Sequence, residues 1–111
     1  MKVVFNDIIP FKGFMAMCLW PFIFVRKSAA SRFNVVANNH EHIHGEQQKE
    51  MLVIFFLLWY CIERLVRLVQ YKNAHTAHRN ISFEREAYAN QDDLVYLSGR
   101  KRFAWCKYLK S

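Results

Sequence analysis

The stretch from residue 40 to about residue 73 is compatible with a helix along its whole length. At 1.5 Å per residue such a helix would extend about 50 Å, whereas a compact chain of 111 residues has a radius of gyration of about 13 Å. One unbroken rod of that length does not fit a domain of this size. We therefore predict a break near residues 52 to 56, where a polar pattern gives way to an apolar one.

The pentapeptide His40-Glu41-His42-Ile43-His44 opens this stretch and is an H-E-x-x-H motif. On a helix, residues i and i+4 lie one above the other, so His40 and His44 can converge on one metal ion. Zinc supports hydrolysis when three protein ligands leave a fourth position for water. Glu41 would then lie beside that position, where a carboxylate can act as general base.

The same histidines allow other interpretations. His40, His42 and His44 also alternate as they would on a strand, which could place all three rings on one face. Gly45, directly after the motif, is a weak helix former. A solvated or structural histidine cluster and a different metal geometry are therefore alternatives to the helical zinc site.

A second helix is predicted to begin at Ser82, which suits an N-cap. It contains Glu86-Ala-Tyr-Ala-Asn90, and here the chain resembles the gluzincin metallopeptidases, in which a glutamate on a second helix is the third zinc ligand. The resemblance implies Glu86 as the metal ligand and Asn90 as a residue that orients a histidine by hydrogen bonding. Glu84 is an alternative ligand, although an acid in the first helical turn also complements the helix dipole without a metal.

The small size of the chain indicates which members of that group it resembles most. The chain is similar to the minigluzincins, the compact single-domain members of that group, and residues 5 to 109 resemble small Bacteroidetes proteins that carry both motifs. The similarity implies one α+β domain over residues 1–111, with a β-rich part at residues 1–37 and a helical part at residues 38–111. It also implies a bacterial zinc-dependent peptidase that holds one Zn²⁺ per chain and acts on a peptide or protein.

The remaining patterns agree with an α+β fold. A strand at residues 3–5 and a hairpin around Trp20-Pro21, within residues 11–27, predict a short antiparallel sheet. The helix that begins at Ser82 should continue to about Leu97, with Gly99 as its stop. Beyond the predicted break, an apolar row lies opposite a polar row, namely Ile62, Leu65, Val66 and Val69 against Glu63, Arg64, Arg67 and Gln70. We expect the apolar row to face the core.

Two apolar runs, residues 14–25 and 51–62, raise the possibility of a membrane-spanning helix. Both are shorter than the roughly 20 residues that a spanning helix needs. We predict that they are buried core elements, with peripheral membrane contact as the alternative. No secretory signal peptide is recognisable, and the widely spaced Cys18, Cys61 and Cys106 indicate free thiols, so we expect a cytoplasmic protein.

The net charge of +7 suggests an anionic partner. Many of the cations lie in a basic and aromatic segment at the end of the chain, namely Arg100, Lys101, Arg102, Lys107 and Lys110. This segment could contact phosphates or an anionic membrane surface. Alternatively, its long cationic side chains cover an apolar underside, and a nucleic-acid partner is the less favoured prediction.

A gluzincin-like arrangement also implies how a substrate is held. The sheet would lie over the motif helix, and an extended peptide would pair with an edge strand of the hairpin at residues 14–25. Candidate residues for polarising the scissile carbonyl are His42, His75, His78 and Tyr88. The alternative functions are a catalytically silent, zinc-stabilised domain that binds a protein or a membrane surface, and a metal-free basic interaction domain.

Overall fold

The computed structural model describes residues 1–7 and 15–109. The start of the predicted hairpin and Lys110 of the basic segment lie outside these residues. Within them, three strands are followed by a long helix and several shorter helices, so the predicted α+β class is confirmed.

The sheet has three strands, β1 (Lys2–Asn6), β2 (Ala16–Leu19) and β3 (Phe22–Arg26), in the order β1-β3-β2. As predicted, β2 and β3 form an antiparallel hairpin that turns at Trp20-Pro21. β1 pairs with β3 in parallel, with Val3 opposite Ile23, so the sheet is mixed rather than wholly antiparallel. The hairpin leaves one edge of β3 open, and β1 occupies that edge, which leaves β2 at the other edge of the sheet.

One face of the sheet packs against the long helix. Ile23 and Val25 alternate along β3 and are fully buried, and together with Cys18 they form a small core cluster. Gly45 of the helix lies under this cluster, where a Cβ atom would be 2.5 Å from the terminal methyl of Met1 and 3.8 Å from Cys18 Sγ. The glycine after the motif therefore leaves room for the end of the Met1 side chain beside the helix.

The long helix α1 (Val35–Tyr71) begins after Asn34, whose side chain accepts a hydrogen bond from the Ala37 amide at 2.9 Å. It is interrupted at Leu52, where φ is 53° and ψ is 119°. The predicted break is thus present, at the start of the predicted interval. It divides α1 into a first segment, residues 35–51, and a second segment, residues 53–71.

The second segment faces the opposite way from the prediction. Glu63 and Arg67 are buried at 7% and 6% exposure, whereas the apolar row of Ile62, Leu65, Val66 and Val69 is 55% to 76% exposed. The apolar run at residues 51–62 is likewise largely outside the core, since most of its large side chains are exposed. The expectation that these residues form the core was wrong.

Hydrogen bonds explain this orientation of the second segment. The Glu63 carboxylate accepts from the Ser82 amide at 2.7 Å and from the Ser82 hydroxyl at 2.6 Å. Arg67 contacts the same carboxylate and donates to the Leu109 carbonyl at 2.8 Å. Two members of the polar row, Glu63 and Arg67, therefore bind groups that are distant along the chain and that local periodicity does not reveal. Because the Glu63 carboxylate binds the first amide of the helix that begins at Ser82, it also caps that helix.

Three short helices complete the fold, α2 (Ala74–Arg79), α3 (Ser82–Asn90) and α4 (Tyr96–Gly99), followed by a 3₁₀ helix, Ala104–Tyr108. The helix predicted from Ser82 to about Leu97 is therefore two helices. The Asn39 side-chain amide lies 2.9–3.4 Å from three carbonyls at and just beyond the end of α3, those of Asn90, Gln91 and Asp93. These bonds hold the chain in a turn where a continued helix would bind the carbonyls itself.

A second core cluster lies between α1, α3 and the 3₁₀ helix. It contains Phe56, Ile81, Phe83 and Trp105. The Phe56 and Phe83 ring centroids are 4.4 Å apart. Within the described residues, no helix combines the length and apolar character that crossing a bilayer requires.

Candidate metal centre

The first segment of α1 presents His40 and His44 on one face, as the helical interpretation of the motif predicts. Their ring centroids are 4.8 Å apart, and their Nε2 atoms are separated by 3.2 Å. Only 10% and 7% of the two side chains are exposed. His42 does not join them, because its Nδ1 atom lies 2.8 Å from the Asn38 carbonyl.

The third donor is the carboxylate of Glu84, which the sequence offered as the alternative ligand. Its Oε1 atom lies 3.3 Å from His40 Nε2 and 3.1 Å from His44 Nε2. Glu84 is in the first turn of α3 and is 6% exposed. These three side chains form a group that could hold a metal ion.

The spacing of the three donor atoms fits a tetrahedral ion. Bonds of 2.0–2.1 Å to a tetrahedral zinc would place neighbouring ligand atoms about 3.3–3.4 Å apart. The three observed separations are 3.1, 3.2 and 3.3 Å. The donor set therefore requires only small adjustments to fit such an ion.

Two glutamine side chains determine which ring nitrogens face the centre. His40 Nδ1 lies 2.7 Å from Gln91 Oε1, and His44 Nδ1 lies 2.8 Å from Gln47 Oε1. An amide oxygen only accepts, so each Nδ1 carries the hydrogen and each Nε2 is directed at Glu84. For Gln47 this assignment is independently supported, because its Nε2 donates to Phe83 O and to Glu86 Oε1. Such support of a histidine by a hydrogen-bonded partner is typical of metal sites.

The second oxygen of Glu84 is held from the opposite side. Tyr60 of the second segment donates its hydroxyl to Glu84 Oε2 at 2.9 Å, and His78 Nε2 lies 3.5 Å from the same oxygen. Tyr60 is also 3.2 Å from His78 Nδ1. These contacts leave Oε1 as the oxygen that faces the two histidines.

Glu86, the ligand that the resemblance implies, lies elsewhere. Residues two apart on a helix project about 200° from each other, so Glu84 and Glu86 cannot point to the same place. Glu86 is fully buried and accepts hydrogen bonds from Gln47, Tyr96 and Arg100. Among the described residues, Gln47 links it to the centre, because Gln47 also binds His44.

Asn90 also has a different position from the one that the resemblance implies. Its side-chain amide donates to the Glu86 carbonyl at 2.8 Å and to the Tyr108 hydroxyl at 3.1 Å. The neighbouring Gln91 is the residue that contacts His40. The side chain that orients this histidine is thus one position beyond the motif, in the turn that follows α3.

Glu41 lies between the two histidines and strand β2. It is 8% exposed, and its carboxylate is hydrogen-bonded by the Cys18 backbone. Gln48 binds two further backbone groups along the same edge, at the end of β2 and just after it. Its side chain donates to the Cys18 carbonyl at 2.8 Å and accepts from the Trp20 amide. The sheet therefore lies over the motif helix, and the edge of β2 contacts α1 at these residues.

The charges at the centre shift three pKa values. Burial by itself would lower the pKa of His44, but the Glu84 carboxylate outweighs it and raises this pKa to about 9. Burial would raise the pKa of Glu84, yet His44 and His40 hold it well below its ordinary value. Burial raises the pKa of Glu41, although the two histidines oppose that shift. A carboxylate with a raised pKa is a better proton acceptor near neutral pH.

Of the four candidates for polarising a carbonyl, two lie near the centre. His78 contacts Glu84, and the ring of Tyr88 is 4.7 Å from that of His40. His75 is exposed on α2, and His42 binds the backbone of its own helix.

The basic segment near the end of the chain is partly internal. Arg100 bridges Glu50 of α1 and Glu86 of α3, with only 3% of its side chain exposed. Lys101, Arg102 and Lys107 are exposed. The segment is therefore attached to the fold through its first arginine.

Three residues around the centre were not predicted from the sequence, Gln47, Gln91 and Tyr60. Gln47 had a usable signal, since it follows His44 by three residues and thus shares its helix face. Gln91 and Tyr60 belong to other parts of the chain, and their spacing from the motif carries no signal. Comparisons with family models, with curated proteins and with solved structures each return no match.

Proposed function

We propose that the protein is a zinc-dependent peptidase of gluzincin type, with His40, His44 and Glu84 as the metal ligands. The observation that carries this proposal is the set of three metal-binding atoms 3.1–3.3 Å apart, with a buried glutamate next to the first histidine on the same helix. When bound there, zinc would supply a Lewis acid that lowers the pKa of a water molecule and polarises a carbonyl.

Glu41 is the general base in this proposal. Its raised pKa favours acceptance of a proton from the attacking water, and its place next to His40 on the helix keeps it close to the donor set. Gln47 and Gln91 keep the histidines in the tautomer that a metal requires. Tyr60 holds the Glu84 carboxylate in place.

A second candidate function is a catalytically silent domain that zinc stabilises. The observation that favours it concerns the edge of β2, the edge with which an extended peptide substrate would have to pair. The Cys18 and Trp20 backbone groups at this edge already bind Glu41 and Gln48. In this candidate the same three ligands hold zinc, and Glu41 serves only to attach the strand to the helix.

A Glu41→Gln variant distinguishes the two candidates. Purified zinc-loaded protein is incubated with a mixture of unstructured peptides, and new amino termini are measured. A peptidase would release them, and the variant, with its zinc content unchanged, would be slower by about 10²–10⁴-fold, the usual contribution of a general base.

The other outcomes are equally informative. No hydrolysis by a wild-type chain that carries one zinc would overturn the peptidase and support the silent domain. A folded chain that takes up no zinc would overturn both candidates.

A further inference from the structure

The second segment of α1 has a large apolar surface that the rest of the described chain does not cover. We call it the outer face and define it by seven side chains, each 55% to 77% exposed: Ile54, Phe55, Leu58, Ile62, Leu65, Val66 and Val69. Large contiguous apolar patches are rare on the surfaces of monomeric soluble proteins and mark interaction sites. From first to last, these residues extend about 22–23 Å along the helix.

The exposure of this face follows from how the segment is held. Its opposite side contains Glu63 and Arg67, which bind Ser82 and the Leu109 carbonyl inside the fold. Turning the outer face inward would break these bonds and expel a buried ion pair. The outward orientation is therefore part of the folded state.

The width of the outer face indicates what can cover it. At 100° per residue, its seven members cover about 120° of the helix circumference. Leu57 and Leu68, which are 37% and 39% exposed, extend the arc to about 180°. A single partner helix packs against a narrower seam. A lipid surface covers the whole of such an arc, and amphipathic helices lie in membrane interfaces in this way.

The charges around the outer face favour an anionic lipid surface. The only acid of the second segment, Glu63, is buried, whereas Lys72 at its end is exposed. Of the 9 acidic residues of the chain, several face inward, namely Glu41, Glu50, Glu63, Glu84 and Glu86. The surface is therefore more cationic than the net charge of +7 suggests.

The basic segment lies along one border of the same helix. Trp105 packs against Trp59 with ring centroids 5.3 Å apart, and Arg67 binds the Leu109 carbonyl. These contacts attach the basic segment, with its exposed Lys101, Arg102 and Lys107, to the second segment at the Trp59 border and, through Arg67, on the inward side. Cations beside an apolar helix face match the chemistry of anionic headgroups above acyl chains.

We propose that the outer face binds in the plane of an anionic lipid bilayer, with its apolar side chains inserted among the acyl chains and the neighbouring cations against the headgroups. This docking surface is independent of the proposed hydrolysis, because no residue of the metal centre belongs to it.

The test is co-sedimentation of the full chain with phosphatidylcholine vesicles, with and without phosphatidylglycerol. The face variant combines Ile54→Gln and Leu65→Gln, at positions 77% and 64% exposed. The matched control combines Val35→Gln and Val95→Gln, at positions 64% and 71% exposed but outside the outer face. We expect the wild type and the control to bind vesicles that contain phosphatidylglycerol. The face variant should bind these vesicles at least about tenfold more weakly.

Two further readouts make the result specific. Trp59, at the border of the face and 41% exposed, should shift its fluorescence to the blue when anionic vesicles are added. Binding should weaken as salt is raised, because screening acts on the headgroup contacts. Equal binding by the face variant and the wild type would overturn the proposal.

The main rival occupant is a second copy of the chain. Sedimentation velocity without lipid would then show a dimer that the face variant abolishes, and the wild type would not bind vesicles. That pair of results would overturn the lipid proposal, as would a monomer that binds no vesicles.

Discussion

Gln47 and Gln91 determine which ring nitrogens of His40 and His44 face the Glu84 carboxylate. Each accepts the Nδ1 hydrogen of one histidine, so the two Nε2 atoms and Glu84 Oε1 converge as three acceptors 3.1–3.3 Å apart. Three acceptors this close repel one another unless a cation or a shared proton lies among them. By fixing the two histidine rings in this orientation, Gln47 and Gln91 thus make the space between the three acceptors suitable for a cation.

The isosteric variants Glu84→Gln and Glu86→Gln should separate a ligand from its support. We expect Glu84→Gln to lower zinc affinity by more than about 100-fold because it removes a ligand, and Glu86→Gln to lower it by about 10–100-fold through Gln47. Competition with a chelating dye measures both affinities, and circular dichroism checks the fold. A Glu86→Gln variant that binds more weakly than Glu84→Gln would show that the ligand assignment is wrong.

The raised pKa of His44 predicts a pH dependence for the zinc-free protein. Its pKa rises from 6.5 to about 9 on folding, so its protonated form stabilises the fold fully below pH 6.5. That contribution, up to about 3 kcal/mol, should be lost as pH rises from 6.5 to 9. Urea unfolding in the presence of chelator measures it. His44→Gln is the control and should show a flatter profile, and an equal decline in both proteins would contradict the assignment.

The kink at Leu52 allows one helix to contribute to the centre twice. The first segment carries His40 and His44, and the second carries Tyr60, which donates to Glu84. In a straight helix Tyr60 would lie about 24 Å beyond His44. The change of direction is therefore what brings the Tyr60 hydroxyl to the Glu84 carboxylate.

Glycine substitutions should have opposite effects at the kink and beyond it. Leu52 has a φ of 53° and is 67% exposed, so Leu52→Gly relieves an unfavourable backbone at little cost in burial. We expect it to raise the free energy of unfolding by up to about 1 kcal/mol. Leu58→Gly, at a helical position 57% exposed, should lower it by about 1 kcal/mol. Urea denaturation compares them, and an equal loss in both variants would refute the argument from strain.

Arg100 connects three distant parts of the molecule. From the end of α4 it reaches Glu50 on α1 at 2.8 Å and Glu86 on α3 at 3.1 Å, with 3% of its side chain exposed. Glu50 also accepts the Phe103 amide at 2.8 Å. The C-terminal segment is thereby attached to both helices that carry His40, His44 and Glu84, the proposed metal ligands.

Removing this arginine should destabilise the whole protein. Arg100→Met would leave two buried carboxylates without a cation, and breaking such a pair costs about 3–5 kcal/mol. Lys101→Met, a matched change at an exposed neighbour, should cost less than about 0.5 kcal/mol. Thermal and urea unfolding provide the comparison. If both variants unfolded alike, Arg100 would have no special role in holding the segment.

Several features were determined by the sequence itself, because they depend on neighbours along the chain. The four-residue spacing of His40 and His44 places them on one face of any helix. The length of the helical stretch required a break, and a break occurs at Leu52. Alternation and the Trp20-Pro21 turn located the hairpin, and together with the helical stretches they identified the α+β class.

Other features were decided only by the tertiary structure. Glu84 and Glu86 are both acids on α3, and the rotation of that helix against α1 determines which one meets the histidines. The apolar row of the second segment has the periodicity of a core face, yet Glu63 and Arg67 face inward because they bind Ser82 and Leu109. Periodicity reveals that a helix has two faces, but contacts from distant parts of the chain determine which face is buried, since the gain from a satisfied buried network can outweigh apolar burial.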